Sequence, residues 1–227
     1  MYITSITRTQ PRTVSVRPVG RLLPWRDARS EHKDKMLAIE LFENSPDTPA
    51  GSRTEDLNLG KLWLLTELNR LGLDSFDNVY VLGSWYGSFG PYLLYKQLQF
   101  DHAYLVDIKH KNTEWVQDFN RKIGIDDQIT AVTQDCCQTE FKGDRILVIN
   151  TSTNDIPRTQ WLANTPKGSV VAIQGRDGQP NNPDNLAQNL DTFDQRYPLD
   201  KTLYLDTIKL QGADGKTYNR FMKIGLR

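Results

Sequence analysis

Val79-Tyr80-Val81-Leu82-Gly83-Ser84-Trp85-Tyr86-Gly87-Ser88-Phe89-Gly90 decides how the rest of the chain is read. Four apolar residues in a row mark a short strand buried on both faces, because alternate side chains point to opposite sides of a sheet. The glycines that follow form a turn, and Pro91 to Gln99 reads as a helix leaving it. A strand that enters a glycine turn and departs as a helix brings backbone N–H groups to the carboxyl edge of the sheet. Glycine there lets the backbone approach a ligand with no Cβ in the way.

The same alternation continues downstream. Ala103 to Val106 is a second buried strand ending at Asp107, Thr113 to Ile123 a helix closed by Gly124, and Ile129 to Val132 a third strand. Arg145 to Ile149 and Ser169 to Ile173 are a fourth and a fifth. Strands alternating with helices imply right-handed crossovers and a parallel sheet covered on both faces. The end differs: Thr202 to Leu210, the turn Gly212-Ala213-Asp214-Gly215, and Tyr218 to Ile224 form an antiparallel hairpin. The expected fold class is therefore α/β, a three-layer αβα sandwich whose seven-strand, mostly parallel sheet ends in an antiparallel hairpin.

Upstream of Val79 the chain changes character. Residues 1–26 carry Arg8, Arg12, Arg17, Arg21 and Arg26 with no acid, while residues 37–78 carry eight acids and three bases. Pro11, Pro18 and Pro24 keep the basic stretch out of a helix interior. It reads as an arm, either folded against the acidic stretch or free to bind a nucleic acid or a protein partner. Ser30 to Phe42 can form a short helix, and Asn44 to Arg53 a loop. A clear helix follows, which Thr54 can cap and Gly72 stops, with Leu57, Leu62, Leu64, Leu65, Leu68 and Leu71 on its apolar face. The natural division is 1–53, arm and helix, and 54–227, the α/β domain.

Composition excludes several classes. The 227 residues hold 28 Lys+Arg and 28 Asp+Glu, are 38% hydrophobic, and contain 5 Trp, 9 Tyr and 8 Phe, which argues against a disordered chain. No apolar run approaches a membrane span, and no apolar region follows Arg8 and Arg12 as a secretory signal requires. Cys136 and Cys137 are neighbours, poor disulfide partners, and too few for a four-thiolate zinc site. His32, His102 and His110 have no ligand spacing, so no metal site is expected. A reducing, cytoplasmic setting fits. Cys136 has no nearby base and reads as a small buried thiol.

Three positions carry the candidate chemistry. The turn spacing G-x3-G-x2-G matches neither the dinucleotide pattern nor the phosphate loop. Asp107 stands 24 positions after Gly83, at the tip of the second strand, where an acid can accept both hydroxyls of a ribose. Asp135 follows the third strand, where a carboxylate can accept from an adenine amino group. Each acid has a plainer alternative as a capping or loop residue, and the turn as a tight connection without a ligand.

Together these positions resemble the class I S-adenosylmethionine-dependent methyltransferases, over roughly Leu57 to Leu226. The string Gly83-Ser84-Trp85-Tyr86-Gly87, taken with Ile149-Asn150-Thr151-Ser152, is similar to a methyltransferase-like group common among tailed bacteriophages. The resemblance implies a Rossmann-like domain, with S-adenosylmethionine as cofactor. Gly83, Ser84, Trp85, Tyr86 and Gly87 would surround its methionine part, Asp107 its ribose, and Asp135 with Cys136 its adenine. Asn150 and Asp155, after the fourth strand, would orient the acceptor or take its proton. Two departures stand out: Val81 where an acid is common, and Trp85 where glycine is common. The Asn/Asp-Pro-Pro-aromatic string of nucleic-acid amino-methyltransferases is absent after the fourth strand, which argues against methylation of base amino groups. The resemblance to the phage group implies a site of action in the host cytoplasm or the virion. The rival expectation is a non-catalytic protein on the same scaffold, structural or partner-binding. A nicotinamide-dependent reductase ranks below both because the glycine spacing is wrong.

Overall fold

The structure is a computed structural model and describes residues 38–46, 48–95, 98–156, 158–177 and 187–227. The arginine-rich arm and the first part of the expected 30–42 helix lie outside the described residues.

Seven strands form one sheet: β1 (Ser75–Leu82), β2 (Gln99–Asp107), β3 (Ile129–Thr133), β4 (Ile146–Asn150), β5 (Val170–Arg176), β6 (Lys201–Gln211) and β7 (Thr217–Leu226). Their order is β3-β2-β1-β4-β5-β7-β6. The first five are parallel, and β7 runs antiparallel to both β5 and β6. The direction of crossover reverses between β1 and β4, so their carboxyl ends open a crevice. Residues Leu82 and Asn150 lie side by side there.

Period-two alternation explains why β1 is apolar throughout. Val79 and Val81 join one core with Leu64, Leu65, Leu68, Phe89, Leu93 and Val116. Tyr80 and Leu82 face the other way, into a core built on Trp161, Leu162, Phe193, Tyr197 and Phe221. The first core is roofed by α1 (Glu55–Arg70), α2 (Phe89–Tyr95) and α3 (His110–Ile123), the second by α4 (Gln160–Asn164) and α5 (Leu190–Arg196).

Helix ends follow their local chemistry. At the end of α1, Gly72 sits at φ 68°, with Gly72 N–H on the Asn69 carbonyl and Leu73 N–H on the Leu68 carbonyl. That is a Schellman closure, which needs a residue free to adopt left-handed backbone. Gly124 does the same after α3, at φ 72°. Thr54 stands at the N-cap of α1, but its side chain makes no capping bond. Glu55 and Asp56 supply negative charge to the first turn instead.

Four expectations are corrected. Residues 38–44 are helical, so the loop expected from Asn44 starts later, and it contains a 3-10 turn at Ala50–Arg53. The helix after the glycine turn begins at Phe89, before Pro91, because proline is tolerated in a first turn where its missing N–H has no partner to lose. Gln99, expected to close that helix, already belongs to β2, its N–H on the Asp74 carbonyl. Helices α4 and α5 were not expected, being too short to show a period. Only α5 had a signature, the Asn189–Thr192 capping box. Before α1, Phe42 is 1% exposed and packs edge-on against Trp115 and Phe119 of α3.

Candidate functional site at the carboxyl edge

The glycine turn is held to the neighbouring strand ends by a short set of bonds. Ser84 N–H donates to the Val106 carbonyl at 2.9 Å, and Gly87 N–H to the Ser84 carbonyl at 2.8 Å. Trp85 takes φ 50°, the one non-glycine positive φ among the described residues. Its N–H donates to Asp107 Oδ2 at 2.8 Å. The other carboxylate oxygen of Asp107 accepts from Lys109 N–H at 2.9 Å and from Asn112 Nδ2 at 3.1 Å. Asp107 is buried and binds the turn to the β2 end.

The glycines answer to packing as well as to backbone shape. A Cβ on Gly83, at φ 64°, would stand 2.9 Å from Ser152 Cβ and 3.1 Å from Ile156 Cδ1. On Gly87, at φ 66°, it would stand 2.7 and 2.8 Å from the Val116 methyl groups. Both glycines therefore admit close approach of the chain to itself. Ser152 Oγ donates to the Gly83 carbonyl at 2.8 Å and so ties the β4 exit to the turn.

Asn150 is fully buried, and its Oδ1 accepts from Ser152 N–H at 3.0 Å. Its Nδ2 has no partner, and neither has the buried Ser84 Oγ. Those two orphaned polar atoms belong to adjacent strand ends. Asp155 is exposed, and its own N–H donates to the Ser152 carbonyl at 2.9 Å.

Asp135 comes close to Asp107 because Gln134 N–H donates to the Asp107 carbonyl at 2.9 Å. Its Oδ1 caps a 3-10 turn (Cys136–Gln138) through Cys137 N–H at 2.9 Å, and its Oδ2 pairs with Arg158 Nη2 at 2.7 Å. Arg158, from the segment after β4, was not singled out in the sequence, where no spacing marks it. Burial, then Cys137 and Asp135, push the Cys136 thiol up to about 12, so it is protonated at neutral pH and is no nucleophile. Trp85 and Ile108 both adjoin Asp107, and they are 40% and 67% exposed. The Tyr86 ring meets Trp115 edge-on, at 5.7 Å between centroids.

The expected residues thus divide. Gly83, Ser84, Trp85, Gly87, Asp107 and Asn150 meet around the ends of β1, β2 and β4. Asp135 and Cys136 stand beyond the β3 end, one and two residues past Gln134, whose N–H bonds the Asp107 carbonyl. Tyr86 turns toward α3, and Asp155 is exposed.

Comparison with solved structures places the fold. A Bacillus cereus O-methyltransferase in complex with S-adenosylhomocysteine is 14% identical, covering 90% of this chain and 94% of that one, with a TM-score of 0.54. Magnesium protoporphyrin IX methyltransferase from Synechocystis, with the same compound bound, is 11% identical over 84% and 99%, at 0.54. The chain has the class I methyltransferase fold. No protein-family model matches it, and no curated protein is significantly similar. Among the described residues, no helix is long and apolar enough to cross a membrane.

A separate cavity of about 570 Å³ lies between residues 43–44, α1 and Tyr92 of α2, lined by Glu43, Glu55, Asn58, Leu59 and Leu62 among others. Beside it Lys61 is buried, with Nζ on Asn58 Oδ1 at 3.1 Å and 5.4 Å from the centre of the Tyr92 ring. Burial first, then Arg220, lowers its pKa from 10.5 to about 7. The folded chain therefore loses this proton before the unfolded chain does, and stability rises with pH between about 7 and 10.5. Below 7 the full cost of the buried charge is present. Lys61→Met should remove that slope and stabilise the protein at pH 6 by about 1 kcal/mol or more. Urea unfolding at pH 6 and pH 9 checks this, and an equal effect at both values would contradict it.

Proposed function

We propose that the chain transfers a methyl group from S-adenosylmethionine to an unidentified acceptor. The observation that carries this reading is the pair of buried, unpartnered polar atoms, Ser84 Oγ and Asn150 Nδ2, at the adjacent ends of β1 and β4 on the open edge of the sheet. A buried polar group without a bond costs about 1–3 kcal/mol, and such groups are retained where a ligand or ordered water completes them. Support comes also from the fold, two of whose solved examples hold the demethylated cofactor.

In this reading Asp107 meets the ribose, Asp135 and the Cys136 backbone meet the adenine, and the Gly83–Gly87 backbone with Ser84, Trp85 and Tyr86 meets the methionine end. Bound there, the cofactor supplies an electrophilic methyl on a sulfonium. The residues then contribute position and exclusion of water rather than a covalent step. Asn150 orients the acceptor, and Asp155 takes its proton. On the strings Gly83–Gly87 and Ile149–Ser152 we assign the chain to the phage group, acting in the host cytoplasm. The arginine-rich residues 1–26 are its contact with a nucleic-acid or protein partner.

The test is calorimetry with S-adenosylmethionine and S-adenosylhomocysteine on the wild type and on Ser84→Ala. Removing a hydroxyl that the chain itself leaves unbonded should not lower stability, yet it should weaken cofactor binding about three- to tenfold. Wild type that binds neither compound sinks the reading in favour of a non-catalytic scaffold. Equal affinity in Ser84→Ala sinks the site.

A further inference from the structure

Asp135, Cys136 and Cys137 are consecutive, and each turns a donor atom toward the same small volume. One carboxylate oxygen and the two sulfurs lie within 4.8 Å of one another. Both thiols are free and buried, and they are the only cysteines of the chain. The turn that carries them is fixed by bonds from several sides. Cys137 N–H donates to Asp135 Oδ1 at 2.9 Å, and Gln138 N–H donates to the Asp135 carbonyl at 2.8 Å. Gln134 Nε2 donates to the Gln138 carbonyl at 2.8 Å, and Asn164 Nδ2 of α4 to the Cys137 carbonyl at 2.7 Å. The donors are held in place by the turn and need not be gathered by an ion.

We propose that Asp135, Cys136 and Cys137 form a binding site for one thiophilic d10 cation, of the class of Zn²⁺, Cd²⁺ and Cu⁺. Thiolates select such ions over Mg²⁺ or Ca²⁺, which require oxygen donors. In a tetrahedral site with sulfur about 2.3 Å from the ion, two sulfurs stand roughly 3.8 Å apart. The three donors already lie within 4.8 Å of one another, so the sulfurs need to close by no more than about 1 Å to reach that figure. Each thiol releases its proton to solvent as it ligates. Two thiolates and one carboxylate then face the cation, and water takes the fourth position. The sequence reading excluded a metal because there are two thiols and the histidines lack ligand spacing; the neighbouring carboxylate supplies a third donor. Asp135 also pairs with Arg158, whose side chain is 65% exposed, so opening that bridge costs little. The inference does not depend on the chain binding S-adenosylmethionine.

The experiment titrates the full chain with Cd²⁺ in the presence of a phosphine reductant. A thiolate-to-cadmium charge-transfer band should grow and saturate at a single ion per chain, with the same stoichiometry in native mass spectrometry. The double variant Cys136→Ser/Cys137→Ser should lose the band while keeping its far-ultraviolet circular dichroism. Asp135→Asn should weaken binding at least tenfold. In the wild type, Cd²⁺ but not Mg²⁺ should raise the thermal midpoint, a readout that stands even if the serine variant does not fold. No band in the wild type, a band kept by a folded double variant, or a midpoint that Cd²⁺ leaves unmoved overturns the site.

Discussion

Asp107→Ala should lower unfolding stability by about 3 kcal/mol and weaken S-adenosylmethionine binding at least tenfold. The first effect follows from the bonds the carboxylate already makes. Without it, Trp85 N–H and the buried Asn112 amide lose their acceptor, and the positive φ of Trp85 loses its anchor. The second effect follows from the proposed ribose contact, with the loosened turn adding to it. Asp107→Asn separates the two. It keeps one acceptor oxygen, so it should retain more than half of the lost stability while still binding cofactor poorly. Urea unfolding and calorimetry on the three chains measure both quantities. Wild-type affinity in a folded Asp107→Ala would leave the carboxylate a purely structural part of the turn.

Gly225→Ala should cost more than about 3 kcal/mol, the largest loss expected of an added methyl group at any described glycine. Gly225 lies in β7, paired with Val171 of β5 on one side and Thr202 of β6 on the other. A Cβ there would overlap the Lys201 carbonyl oxygen and stand 2.9 Å from Leu199 Cδ1. The leucine can turn away. The carbonyl is sheet backbone, next to the register shift between Thr202 and Tyr204, and can move only with β6. Thermal unfolding gives the magnitude, and hydrogen exchange should show β6 amides exposed first. A variant as stable as wild type would mean that β6 does not approach Gly225 so closely.

The residues differ in how far their roles could be read before the fold was known. The places of Asp107 and Gly83, though not what they bond to, were legible because a strand, a glycine turn and an acid at a strand tip are local patterns set by backbone sterics and side-chain alternation. Arg158 and Ser152 were not, since each matters through a partner distant in sequence: Asp135, 23 positions away, and the Gly83 carbonyl, 69 positions away. Gly225 was equally silent, because its lack of a side chain is required by a neighbouring strand rather than by its own turn. The orphaned state of Ser84 Oγ and Asn150 Nδ2 is a fact about what surrounds them in space.

What the sequence determined by itself was the layered α/β architecture with its closing hairpin. Runs such as Val79–Leu82 can be satisfied only in a strand covered on both faces, and Gly72 and Gly124 stop helices by their own conformational freedom. What only the tertiary structure decided was which polar groups are spent on the chain itself and which are left over. Hydrogen bonds form between atoms that folding brings together, so Asp107 is engaged in holding a turn, Ser84 and Asn150 keep unused donors, and Asp135 stands between an arginine and two thiols.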